Sequence, residues 1–215
     1  MREAILHQIA SALAVRNNYF IREQDVQQYL ANYFLQTNQY ANVFSEYQIP
    51  GSLVPPYLLT DANNNYIDIV VEIDNLFYPI EVRYKTVAHP VPHLVFGQNV
   101  NIILGQQGSS KTGSYDFWKD VKRIEFFEAN FARVQRGIVL FISNDPGYRR
   151  TPFNPNAGHA AFSTYQDREV SGGTILDWNG NAAVANKRPG FSVNYHYHLN
   201  WIAMPQLQQH YYLLV

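Results

Sequence analysis

The sequence predicts an α/β domain, on three observations. Apolar residues recur at helical spacing near the N-terminus and again over residues 115–134. Two strand-like segments, 66–73 and 78–87, flank the turn signal DNLFYP. A continuous apolar run, GIVLFIS at 137–143, has the signature of a strand buried on both faces.

Taken in order, residues 3–16 place Ile5, Ile9 and Leu13 on one face of a first amphipathic helix. After the polar break RNNYFI, residues 22–36 place Val26, Tyr29, Leu30, Tyr33 and Phe34 on one face of a second. NVFSEYQI at 42–49 alternates as a strand does and stops at PGSLVPP. Residues 63–73 turn and continue as a β-branched strand, which pairs as an antiparallel hairpin with 78–87. Residues 88–114 read as loop, with prolines at the start, GQQGSSKTGS at the end and the short apolar segment VNIIL between. A long amphipathic helix carries Phe117, Val121, Ile124, Phe127, Phe131 and Val134. The order is helix, strand, strand, strand, helix, strand. Residues 1–150 form the core with its helical N-terminus, and 151–215 a β-rich C-terminal elaboration packed on it as one compact domain.

Bulk properties narrow the function. A chain of 215 residues, 47% hydrophobic and 15% aromatic, builds a real core rather than a disordered segment. It contains no cysteine, which removes disulfides and thiolate metal sites and is compatible with a reducing cytoplasm, the expected location. No apolar run of ~20 residues suggests a membrane span. The net charge of −1 shows no basic stripe, which counts against tight non-specific DNA binding but leaves room for a local basic cleft.

Chemistry concentrates in the hairpin. In YPIEVRYKTV, residues Glu81, Arg83 and Lys85 alternate and so share one face of their strand. Antiparallel pairing brings Asp68 of the preceding strand close to Glu81. Two hard carboxylates at the head of a sheet suit Mg²⁺, which prefers oxygen ligands and keeps several waters. On spacing alone this pattern arises often by chance, and a half-exposed strand with cross-strand charge pairs is the more ordinary reading.

Ordered blocks add to this. FSEYQIPG, YIDIVVEI, IEVRYKT, YDFWKDVKRIEFF and GIVLFISNDPGYRR together resemble a bacterial group of the PD-(D/E)XK, or restriction-endonuclease-like, nucleases over about residues 20–150. The resemblance implies a restriction-endonuclease-like core, αβββαβ, with a mixed central sheet flanked by helices. It implies a nuclease that hydrolyses DNA with Mg²⁺ or Mn²⁺, held by Asp68, Glu81 and the backbone carbonyl of Val82, with Glu46 a further ligand. Duplex cutting makes a homodimer an expected assembly. The family's lysine falls on Arg83, which stays charged and cannot act as a base. Lys85, about 6.6 Å along the same face, is then the candidate to replace it, with Arg83 and Lys85 together positioning water and phosphate. The alternative is a catalytically impaired member that acts as a nucleic-acid-binding or protein-interaction module. Supporting residues are Asp120 and Arg123, on one helical stripe with Asp116, together with Lys111 and Glu23.

Other motifs carry less. GQQGSSKTG approaches a phosphate-binding loop but has Ser110 where the second glycine belongs, and its helix is expected to start only after GSYD, so no nucleotide cofactor is expected. Asn144 and Asp145 belong first to a turn. His196 and His198 alternate on a strand with no third zinc ligand nearby. Trp118, Trp178 and Trp201 read as core.

Overall fold

The structure, a computed structural model, describes residues 1–59 and 64–215. Residue 63, the expected start of the second strand, lies outside the described residues. The elements are α1 (Arg2–Val15), α2 (Glu23–Thr37), β1 (Asn42–Pro50), β2 (Asn64–Ile73), β3 (Leu76–Lys85), β4 (His89–Val95), β5 (Gln98–Leu104), α3 (Ser110–Asn130) and β6 (Ile138–Ser143). A C-terminal stretch follows with β7 (Arg168–Val170), β8 (Ile175–Leu176), α4 (Ala182–Ala185), β9 (Phe191–Ser192), β10 (Tyr197–Leu199), β11 (Trp201–Ala203) and β12 (Tyr211–Leu214).

The fold is α/β with a mixed central sheet flanked by helices. Its six strands run β1-β2-β3-β6-β12-β11. β3 and β6 are parallel, from Ile80↔Ile138 to Lys85↔Ser143, and the other neighbours are antiparallel. Parallel neighbours need a crossover, and α3 supplies it. Every residue of β6 is buried because both faces are covered. Ile138, Leu140 and Ile142 pack towards α1 and α2, together with Ile80, Val82 and Tyr84 of β3. Val139 and Phe141 pack on the opposite face with Phe117, Trp118, Val121 and Ile124 of α3. Emptying such a site, as in Phe141→Ala, costs about 3–5 kcal/mol.

Local chemistry sets the helix ends. The Asp25 carboxylate accepts the Ile21 and Arg22 N–H groups at 2.9 Å each, which fixes the start of α2, and Asn38 closes it in the left-handed region at φ 52°. Ser109 caps α3, which begins one turn earlier than its apolar pattern predicts. It also ends earlier, at Asn130. Phe131 turns extended, and the following segment bonds alongside β3 instead, with Phe77 N–H donating to the Arg133 carbonyl at 2.9 Å and Gln135 N–H to that of Phe77 at 2.8 Å.

Two expectations change. Residues 88–114 are not mainly loop, because β4 and β5 form a hairpin paired from His89↔Leu104 to Val95↔Gln98. Pro90 and Pro92 obscured it. They are tolerated because alternate residues point the same way, so both missing N–H groups fall on the unpaired side of a two-stranded sheet. Phe96 and Gly97 turn the hairpin at φ 48° and 84°, values that suit a type I′ turn. The C-terminal stretch does more than pack on the core. β12 lies against β6, and β11 extends the sheet beyond it, so a boundary at residue 150 divides one sheet.

Candidate active site

The candidate site forms where β2 and β3 part. Their ladder ends at Ile69↔Ile80, and the next register position holds Asp68 and Glu81. β3 continues along β6 to Lys85, which leaves its β2-side edge open. Two carboxylates cover that edge. Val82 N–H donates to Asp68 Oδ2 at 2.6 Å, and Tyr84 N–H donates to Glu23 Oε2 at 2.9 Å. A residue's N–H and C=O leave the same side of a strand, so the Val82 carbonyl faces the same edge.

The side chains of Glu81, Arg83 and Lys85 face α3, and the row meets opposite charge along it. Arg123 lies 3.2 Å from Glu81. Arg83 grips Asp120 through two bonds, Nη2 to Oδ1 at 2.8 Å and Nε to Oδ2. Asp116 lies in the field of Arg83 and Lys85. The pitches match, since two strand residues advance about 6.6 Å and four helix residues about 6 Å. Arg123 is anchored further by Asn65 Oδ1 at 3.0 Å, the Tyr66 carbonyl and Asp120 Oδ1 at 3.4 Å.

Burial raises the proton affinity of these acids. Desolvation pushes the Asp68 carboxyl up to about 7; the Val82 N–H and Arg83 oppose the rise, and Glu23 and Asp120 add to it. Glu81 is raised well above the usual carboxylate range by burial, against the pull of Arg123. Glu23 is raised by burial, with Arg83, the Tyr84 N–H and Lys85 opposing. Desolvated, mutually repelling carboxylates are groups whose charge a bound cation would stabilise.

The donor set fits a hard cation. Among the described residues no group of three or more His, Asp or Glu side chains is spaced to hold a metal ion. Mg²⁺ does not require such a cage, because it binds through one or two carboxylates and keeps waters or phosphate oxygens as its other ligands. Asp68, Glu81 and the Val82 carbonyl supply that kind of set. Glu81 Oε1 is buried, accepts no hydrogen bond among the described residues, and faces the Arg123 guanidinium.

The remaining candidates divide. Asp120 and Arg123 stand in the site and hold Arg83 and Glu81 in place. Arg83 is bound to both oxygens of Asp120 and also lies in the field of Glu23 and Asp68. Lys85 is half-buried and lowers the carboxyl pKa values of Glu23 and Asp116. Glu23 has a larger part than its place in a first helical turn suggests. Glu46 occupies the register position across from Asp68, between Ser45↔Ile69 and Tyr47↔Ile67, but its backbone is left-handed at φ 50° and its side chain is exposed. Lys111 lies elsewhere, in a cavity of about 190 Å³ with Arg150 and His159. Its helix does begin at Ser110, so the late start expected after GSYD is corrected, but β5 before it belongs to the separate hairpin and not to the central sheet.

Asn144 exchanges two hydrogen bonds with Val87, tying the end of β3 to that of β6. Asp145 caps the turn at Gly147. Trp118, Trp178 and Trp201 are core residues, and His198 stands 3.8 Å from Asp167 on the surface. Sequence reasoning missed Asn65 and the Tyr66 carbonyl, whose only signal was their place just before Asp68. No helix among the described residues is long and apolar enough to cross a membrane. The chain matches no protein-family model, no curated protein and no solved structure.

Proposed function

We propose that the protein is a divalent-metal-dependent nuclease with a restriction-endonuclease-like core, hydrolysing DNA phosphodiester bonds. The observation that carries this reading is the open edge of β3, where Asp68, Glu81 and the Val82 carbonyl converge. The element order supports it, with acids on β2 and β3 and the parallel strand β6 arriving through α3. Asp68, Glu81 and Val82 would hold Mg²⁺ or Mn²⁺, which supplies charge neutralisation at the phosphate and an activated water. Arg123 fixes Glu81 and keeps it from swinging away. Asp120 fixes Arg83, so Lys85 is the cation left to orient water or phosphate. Cutting both strands of a duplex would take two copies of the chain.

A second reading has its own observation. Arg83 is held by Asp120 and Glu81 stands against Arg123, so both charges are already engaged. A nuclease fold kept as a DNA-binding or protein-interaction module would look the same. Incubation with supercoiled, linear and single-stranded DNA and Mg²⁺ or Mn²⁺ separates the two. The nuclease reading expects cleavage by wild type that is lost in Glu81→Ala and reduced in Lys85→Ala. Salt-sensitive binding without cleavage would establish the module instead.

A further inference from the structure

Beside the carboxylates lies a cavity of about 340 Å³ whose walls include Tyr57, Tyr115, Asp116, Lys119, Lys187 and Arg188. Three cations thus face one acid, in a chain whose net charge is −1. They come from two distant segments: Lys119 from α3, and Lys187 and Arg188 from the stretch after α4 in the C-terminal elaboration. None of the three forms an ion pair among the described residues.

The wall is fixed by its backbone. The Trp178 indole N–H donates to the Arg188 carbonyl at 2.6 Å, Arg188 N–H to that of Val184 at 2.9 Å, and the Tyr115 hydroxyl to that of Pro189 at 3.2 Å. Lys119 is held in place by the Leu59 carbonyl at 2.7 Å. Asp116 joins this cavity to the candidate site, since its carboxylate feels both Arg83 and Lys85 of β3 and Arg188 of the cavity wall. Tyr57 is partly exposed and offers an aromatic face at the rim.

Cations carried on a backbone-anchored wall, in a nucleotide-sized cavity beside a phosphodiester site, are suited to the next phosphate of the same strand. We propose that this cavity is a flanking subsite, in which Lys119, Lys187 and Arg188 hold the backbone phosphate of a DNA strand next to the phosphodiester at Asp68 and Glu81. It rests on the nuclease reading and adds to it that the C-terminal elaboration supplies substrate contacts.

The test is anisotropy of a fluorescein-labelled single-stranded oligonucleotide on the full chain in chelator, across a salt series. Lys187→Ser with Arg188→Ser should bind about 10–100-fold more weakly at low salt. Its slope of log affinity against log salt should fall by about 1.4, at ~0.7 for each lost contact to a single strand. Adding back one cation, as in Lys187→Ser with Arg188 kept, should recover part of both. Arg133→Ser, just beyond the far end of α3, should bind as wild type does. Unchanged affinity and slope in the double variant overturns the subsite, as does an equal loss in Arg133→Ser. Wild type binding a free nucleotide as tightly as the oligonucleotide also overturns it, because a strand subsite depends on neighbouring phosphates. If wild type cuts DNA and the double variant binds and cuts equally well, the subsite alone falls. If wild type neither binds nor cuts, the nuclease reading falls and takes the subsite with it.

Discussion

The Arg123 guanidinium lies 3.2 Å from the Glu81 carboxylate, and each side chain is only 2% exposed. Such a pair is costly to break from one side, because the survivor is left as an uncompensated buried charge. Arg123→Met should therefore destabilise the fold by about 3–5 kcal/mol in urea unfolding. Adding Glu81→Gln should restore a large part of that loss. Additive destabilisation in the double variant would mean that the two residues do not act as a pair.

Arg83 tests the neighbouring contact. Its planar fork reaches both Asp120 oxygens, which a lysine ammonium cannot reproduce. Arg83→Lys should cost about 1–2 kcal/mol of stability by the same measurement. A variant as stable as wild type would show that the second bond contributes nothing.

How far the sequence reached is clear from these residues. The strand row Glu81, Arg83 and Lys85 was legible from a period of two, and the helix row Asp116, Asp120 and Arg123 from its spacing of four and three. Their mutual pairing was not legible, because the rotation and shift of α3 over β3 are set by the apolar residues packed beneath it. Glu23 was undervalued because its partner, the Tyr84 N–H, is a backbone group exposed only by the parting of β2 and β3. The strands β11 and β12 were expected as an appendage. Short strands do not announce their partners, and β12 pairs with β6 across nearly seventy residues. In β4 the prolines masked a strand whose open side tolerates them.

Gly137 stands where β6 begins beside β3. A Cβ there would lie 2.3 Å from the Pro79 carbonyl oxygen and 2.8 Å from Ile124 Cδ1. The first of these is backbone and cannot swing aside. Gly137→Ala should lower stability by about 1–3 kcal/mol, as overpacking does. A change below a few tenths of a kcal/mol would show that the β3–β6 junction yields.

The β4–β5 turn predicts a gain. Phe96 is fully exposed, at 103%, and adopts φ 48° ahead of Gly97. An aromatic residue is strained there, whereas Asn-Gly is the favoured pair for this turn. Phe96→Asn should raise stability by about 0.5–1 kcal/mol. A lower melting temperature would show that the ring has a packing role.

The pH dependence of stability should follow Asp68. Its carboxyl is pushed up to about 7 in the folded chain, against about 3.9 unfolded. Between those values the native state holds a proton that the unfolded chain releases, so stability falls as pH rises through that window. Asp68→Asn mimics the protonated acid while still offering an oxygen to the Val82 N–H. Its stability relative to wild type should be near zero at pH 4 and reach about 2–4 kcal/mol above pH 7, measured by urea unfolding. Mg²⁺ should narrow that difference at pH 8 by stabilising wild type alone, by about 1.4 kcal/mol at ten times its dissociation constant. A difference that does not change with pH would remove the buried, proton-holding carboxyl. A Mg²⁺ effect equal in both proteins would place the ion away from Asp68.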